Sequence, residues 1–476
     1  MAKFLFRALT TLLVFSYGLF TIVLYALIAL KKGTYFKRPT EKEKLELQLA
    51  RDRLWNLSED FKGLSHHMLT LPSGFKFHFV ANDKPNTPET LNSDKPLVIF
   101  IHGFPDSWAI WRHILKSPAL HEAASLVAID LPGYGGTESL DKYSATNVLE
   151  KLTELIITLR TQYGVDSSEE TNKKRAIIVA HDWGCVLSMR LAEEAPALAH
   201  RFILSNGPTM KLIKQNISRR VSTTRKMLGN AWRSPRDARV PLMQALRNIA
   251  PIGRQIFLSG YIFAMQLPVP FAHQFLTGGN YSLLKGVHVR ASGGSITPYD
   301  AAEGMASSMG PSVAEFKSKT AVGDGYPATL ETEREFAHTM HMAGYYRDGA
   351  SIARWTKSIE TIASLHSISS GSELRRPSSG AGLFDDSPGL KASSTIIWGE
   401  QDIALDKRIC LDGMADFLVN NSQIVLLPRS GHWTPIETES SAALIAAVEW
   451  AVQGEHGDIE TPLAKTYPGA KITARR

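Results

Sequence analysis

Six short segments of the chain are apolar almost from end to end and rich in β-branched residues: "PLVIFIHG" (96–103), "SLVAIDLPG" (125–133), "RAIIVAHD" (175–182), "RFILSNG" (201–207), "STIIWGE" (394–400) and "QIVLLPRSG" (423–431). Runs of this length without polar alternation are strands covered on both faces, which confines them to the inside of a mostly parallel sheet. Between them lie amphipathic stretches such as "ATNVLEKLTELIITLRTQYG" (145–164) and "GCVLSMRLAEEA" (184–195), with apolar residues at three- and four-residue steps. Strand and helix in alternation require right-handed crossovers, so the expected fold is α/β, a central sheet with helices on both faces. "GFKFHFVA" (74–81) alternates strictly and predicts a half-buried antiparallel edge strand.

One interval breaks the alternation. Residues 209–390 read as helical, with apolar stretches such as "RQIFLSGYIFAMQLPVPFAHQFL", interrupted by Ser/Gly-rich pieces around 291–325 and 366–394 that are expected to be loops. An insertion between two strands of one sheet predicts a helical lid over the sheet's carboxyl edge, where open α/β sheets bind ligands. The expected organisation is a membrane anchor (1–30), a charged linker (31–60), a core in two pieces (61–208 and 391–458), the lid (209–390) and a polar tail (459–476).

The anchor rests on residues 8–30, "ALTTLLVFSYGLFTIVLYALIAL", which carry no charge. As a helix rising about 1.5 Å per residue they would cross a hydrocarbon layer of about 30 Å. A cleaved signal peptide usually has an apolar stretch of only about 7–15 residues before a small-residue cleavage site, and this run ends instead at "LIALKKG". The flanking charges, Lys3 and Arg7 before and Lys31, Lys32, Lys37, Arg38, Lys42 and Lys44 after, favour a single-pass protein of the endoplasmic reticulum with its body in the cytosol. Against that orientation stand four formal glycosylation triplets, at Asn56, Asn216, Asn280 and Asn420. Net charge is +7, of which residues 1–60 supply ten Lys/Arg against six Asp/Glu, and the remainder reads as near balance. No basic stripe with interleaved aromatics and no metal-ligand spacing is evident, so neither a nucleic-acid partner nor a metal is expected. Two cysteines, Cys185 and Cys410, exclude a disulfide framework.

The chemistry centres on "AHDWG" (180–184), where a buried strand runs into a helix through Asp182 with Ala180 and Gly184 on either side. Small residues two places before and after a junction residue suit a sharp strand-to-helix turn that exposes the central side chain. A carboxylate there is already a nucleophile at neutral pH. The plain alternative is that Asp182 caps the helix starting at Trp183. "FIHGFPDSW" (100–108) follows one strand, "IIWGEQD" (396–402) another and "RSGHWTP" (429–435) the last, so that Asp182, Asp402 and His432 fall in the chain order nucleophile, acid, histidine. Asp406 is a substitute for Asp402.

These motifs, with "DLPGYGGTES" (130–139), resemble the epoxide hydrolase branch of the α/β-hydrolase superfamily, over about residues 61–455. The resemblance implies an aspartyl ester formed by Asp182 and hydrolysed by water that His432, oriented by Asp402, deprotonates. It implies an oxyanion loop at His102, Gly103, Phe104 and Pro105, the Phe104 amide acting with that of Trp183. It also implies two lid tyrosines that donate to the epoxide oxygen. Tyr261 stands five residues before Gln266, and Tyr346 stands before Arg347 in "GYYRDG", with Tyr345 adjacent as a competitor for the same place. Met265 departs from the Phe common before that Gln. The implied substrate is an apolar epoxide, converted to a vicinal diol without a cofactor. Haloalkane dehalogenases share the triad and often a Trp after the nucleophile, but Phe104 stands where they often carry an Asn. An inactive, membrane-tethered binding protein is the reading from another class.

Overall fold

The computed structural model describes residues 2–166, 174–291, 298–332, 335–370 and 389–476. Nine strands form one sheet: β1 (Ser65–Thr70), β2 (Lys76–Ala81), β3 (Leu97–Ile101), β4 (Ser125–Ile129), β5 (Ala176–His181), β6 (Arg201–Ser205), β7 (Ser394–Gly399), β8 (Gln423–Leu427) and β9 (Lys471–Arg475). Their order is β1-β2-β4-β3-β5-β6-β7-β8-β9. The six apolar runs supply the six parallel strands from β4 to β8, and β3 to β6 are buried throughout. Two apolar layers cover the sheet, one led by the helix Ala145–Gln162 and the elbow helix Trp183–Glu194, the other by Trp55, Trp108, Trp111 and the helix Thr438–Val452.

The flanks of the sheet differ from expectation. β2 is not an edge: it lies between β1 and β4, antiparallel to both, and is buried from Phe77 onward. The outer strand is β1, whose buried His66 pairs with His78 of β2 at 2.8 Å, so a polar segment closes that side. At the other side the expected polar tail contributes β9, paired antiparallel with β8. The expected linker contains a helix, Glu41–Trp55, with a Thr40/Glu43 capping box at its start. It is no free linker, because Ala50, Leu54 and Trp55 are buried and the Trp55 indole donates to the Ala306 carbonyl at 2.9 Å.

Between β6 and β7 the chain builds the insertion from helices Met210–Arg233, Arg239–Leu258, Gly260–Met265, Val269–Ala291, Pro298–Met309, Glu335–Arg347 and Ile359–Ser370. Part of the first Ser/Gly-rich piece is thus helical at 298–309, its Ala302 and Ala306 burying against the core. In the second piece, residues 371–388 lie outside the described residues. Charge outside residues 1–60 is uneven: residues 210–258 hold eleven Lys/Arg and only Asp237. Among the described residues one helix is long and apolar enough to span a membrane, Ala8–Lys31.

Candidate active site

Asp182 sits at the β5-to-helix turn with φ 50° and ψ −117°, a backbone conformation costly for any residue but glycine. The turn closes only because its neighbours lack bulk. A Cβ on Gly184 would run into the Ile101 and His102 carbonyls, and one on Gly103 into the Asp182 carboxylate and the Trp183 nitrogen. The capping role is absent, since the Asp182 side chain accepts no bond from its own helix. Instead Oδ1 accepts from the Phe104 amide at 2.7 Å, and Oδ2 lies 3.4 Å from His432 Nε2.

His432 follows β8 and turns its Nδ1 to Asp402 Oδ2 at 2.8 Å. Asp402, after β7, is fixed on both oxygens. Oδ1 accepts from the Ala404 and Leu405 amides at 2.7 and 2.8 Å, and Oδ2 accepts from Asn206 Nδ2 at 2.7 Å. Asn206 in turn takes the Gly399 amide at 3.1 Å, binding the ends of β6 and β7 together. Asp406 is turned away: it caps the helix Lys407–Cys410 and pairs with Arg408 and Arg254.

Two carboxylates around one imidazole set the electrostatics. Burial works against charge on His432, yet Asp402 and Asp182 together outweigh it and lift its pKa to about 10. Burial likewise pushes the Asp182 carboxyl up, but the His432 contact and the Phe104 N–H hold it below its usual range. In Asp106, four residues past His102, burial raises the carboxyl to about 7 against the pull of Arg112. His181, whose Nε2 faces the His432 carbonyl at 2.8 Å, is held near 4, chiefly by burial.

The loop 102–108 is set by a buried aspartate. Asp130 accepts from the Trp108 amide at 2.8 Å, from the Gly136 amide at 2.9 Å and faces His78 Nδ1 at 2.7 Å. His102 Nε2 accepts from the Leu131 amide at 3.0 Å, so its Nδ1 carries the proton and donates to the Gly103 carbonyl at 2.9 Å. That bond shapes the turn presenting the Phe104 amide; Pro105 is buried beside it.

Over the carboxylate stand two lid tyrosines. The Tyr346 ring packs edge-on against Trp183 (4.9 Å between centroids), Phe104 (5.5 Å) and Tyr261 (5.8 Å). Burial first, then Asp182 for Tyr261 and Tyr261 for Tyr346, raises both hydroxyls, so both are neutral donors at physiological pH. Tyr345 points elsewhere: it is 1% exposed and donates to the Pro132 carbonyl at 2.9 Å. Arg347 donates to the Met265 and Leu267 carbonyls, each at 2.7 Å, and the Gln266 amide donates to the Tyr346 carbonyl. The segment carrying Tyr261 is thereby tied to the one carrying Tyr346. Among the described residues no cluster of His, Cys, Asp and Glu could hold a metal ion.

Sequence reading missed Asn206, and it quoted Asp130 and Arg347 within motifs without giving either a role. Asn206 stood at the end of an apolar run, where the carboxyl edge of a sheet gathers its polar groups.

A parallel sheet with a strained acidic elbow, a histidine after the last parallel strand and a lid between β6 and β7 defines a class, the α/β-hydrolases. Residues 98–448, well over half of the chain, match the alpha/beta hydrolase family, and the protein belongs to it. Among curated relatives it is 26% identical over 216 residues to Epoxide hydrolase 3 of Mus musculus, covering 45% of this chain and 44% of that protein. It is 28% identical over 230 residues to Epoxide hydrolase 1 of Caenorhabditis elegans, covering 48% of each. The chain thus spans slightly under half the length of these relatives. A solved structure of an aCif variant shares the fold with a TM-score of 0.50 and 16% identity, over 88% of this chain and 97% of that one.

Proposed function

We propose that the protein is an epoxide hydrolase that opens an apolar epoxide through an aspartyl ester. The observation that carries this reading is Asp182, a carboxylate 15% exposed that lies between the Phe104 amide and His432, facing two neutral phenols. Asp182 attacks an epoxide carbon while Tyr261 and Tyr346 donate to the ring oxygen, so the C–O bond breaks as a proton arrives. Ester formation removes the charge on Asp182, and His432 loses one of the two carboxylates that hold its proton. It then gives that proton up, relayed by water, to the tyrosinate that ring opening leaves behind, restoring the phenol, and becomes the base, with Asp402 keeping its Nδ1–H oriented. Water, deprotonated by His432, adds to the ester carbonyl. The resulting oxyanion is held by the Phe104 and Trp183 amides, and collapse frees a vicinal diol and restores Asp182. Names of the curated relatives support the same reaction.

The deciding experiment is a single turnover of His432→Gln with styrene oxide. Intact mass should rise by one epoxide per chain, and the adduct should map to Asp182. A variant that yields diol at the normal rate with no adduct would sink the mechanism.

We infer further that residues 8–31 span a membrane, with the hydrolase core on the cytosolic side where most of the flanking Lys and Arg lie. Of the four glycosylation triplets Asn216 is 2% exposed and donates to the Ile409 and Asp412 carbonyls, so the folded chain cannot offer it to a transferase. Protease protection in sealed microsomes tests the orientation: digestion of the core without detergent supports it, and protection overturns it.

A further inference from the structure

The N-terminal helix, Ala2–Lys31, does not stand apart from the lid. Tyr17 packs edge-on against Phe263 (4.9 Å between centroids) and Tyr25 against Phe275 (5.2 Å). The Tyr17 hydroxyl donates to the Ile256 carbonyl at 3.1 Å, and the Thr34 and Ser282 hydroxyls share a bond of 3.2 Å. Between this helix and the lid segment Val269–Ala291, two helices joined by a kink at 278–281, runs a hollow in two parts. The first, of about 360 Å³, is walled mainly by Ile22, Tyr25, Ala29, Phe275, Leu283 and Val287. The second, of about 630 Å³, gathers Lys32, Lys37, Lys285 and Arg290 around a single carboxylate, Glu43. They meet at Lys32, Ser282, Gly286 and Arg290, which line both.

Charge in the second part is unbalanced. Glu43 lies 3.2 Å from Lys37 and 3.7 Å from Lys285, while Lys32 and Arg290 form no ion pair among the described residues. The Asn280 amide nitrogen, in the same wall, is buried without a hydrogen-bond partner. A buried donor left unpaired is costly and calls for an acceptor. The sequence of environments along the hollow, apolar beside residues 22–29 and cationic from Lys32 on, matches the passage from acyl chains to headgroups where an apolar helix leaves a bilayer. We propose that the hollow binds one anionic lipid. Its headgroup sits among Lys32, Lys285, Arg290 and the Asn280 amide, and its chain lies along the seam between anchor and lid. The inner end of the seam is closed by Ile403 and Trp433, the residues after Asp402 and His432.

This inference is independent of the chemistry proposed for Asp182 and rests on the anchor reading only for the source of the lipid. The full chain in dodecyl maltoside micelles is titrated separately with dioctanoyl phosphatidylglycerol, dioctanoyl phosphatidylcholine and inorganic phosphate, and the thermal midpoint is followed. Phosphatidylglycerol should raise the midpoint at a concentration about tenfold below that needed with phosphatidylcholine, and phosphate at that concentration should do nothing. Lys32→Gln with Arg290→Gln should erase the difference between the lipids and leave the lipid-free midpoint in place. If that double variant fails to fold, Lys285→Gln alone should narrow the difference. Equal response to both lipids, a difference that survives the substitutions, or phosphate matching phosphatidylglycerol would each overturn the proposal.

Discussion

Asp182, Asp402 and His432 stand on turns leaving β5, β7 and β8, whereas Tyr261 and Tyr346 ride on helices of the insertion between β6 and β7. The first group is charged, and every member is gripped by backbone amides or by another member of the group. The second is neutral and held in register by two side chains, Arg347 reaching two carbonyls of the neighbouring segment and Gln266 reaching back to the Tyr346 carbonyl. The contrast teaches where each kind of group can be kept. Opposed charges need fixed dipoles around them, which the carboxyl edge of a parallel sheet supplies. Phenols need only a dry wall, which packed helices provide.

Removing the proposed nucleophile is the strongest way to break the sheet edge. Asp182→Ala should lower kcat by about 10⁴-fold or more with an unchanged circular dichroism spectrum, and a variant within tenfold of wild type would move the nucleophile elsewhere. On the lid, Tyr261→Phe together with Tyr346→Phe should cost about 10³-fold in kcat. Tyr345→Phe sharpens the comparison, since losing its bond to Pro132 should cost about 1 kcal/mol of stability and little turnover. Were Tyr345→Phe the more damaging for catalysis, the two neighbours would have to exchange roles. Arg347→Ala, which removes its two bonds to the other lid segment, should lower kcat/KM about tenfold and stability by about 2 kcal/mol; loss of stability alone would reduce the residue to a brace.

The smallest effect is one of pH. His432 has its pKa raised from about 6.5 to about 10 in the folded protein, so its stabilising contribution is complete below about 6.5 and fades as pH climbs towards 10. The thermal midpoint should therefore fall by a few degrees between pH 7 and 10 in wild type, and by less in His432→Gln. Identical profiles for the two proteins would show that the imidazolium is not what the carboxylates hold.

The six parallel strands were legible because burial on both faces leaves no room for polar residues, and such runs announce themselves. β1 and β9 escaped notice for the opposite reason. "SHHMLT" and "KITAR" are polar edge strands whose partners, not whose side chains, make them strands. The helix Glu41–Trp55 hid in the same way, since only its last turns bury a face. Within the candidate site, groups attached to motifs at strand ends could be read directly, and they lie together. Asn206 and Arg347 could not, because each acts through a contact made far along the chain, with Asp402 and with the carbonyls at 265 and 267. Tyr345 and Tyr346 could be separated only by the helix itself, which turns adjacent side chains about 100° apart.

Gly18 faces the Phe263 carbonyl so closely that a methyl group there would collide with it. Phe263 belongs to the short helix that presents Tyr261. A shortened chain, trimmed of its apolar N-terminal helix to ease purification, would thus lose the backing behind a phenol on which the proposed ring opening depends. Preparations made that way would report a loosened enzyme, and sluggish turnover in them would say more about the missing support than about the natural catalyst.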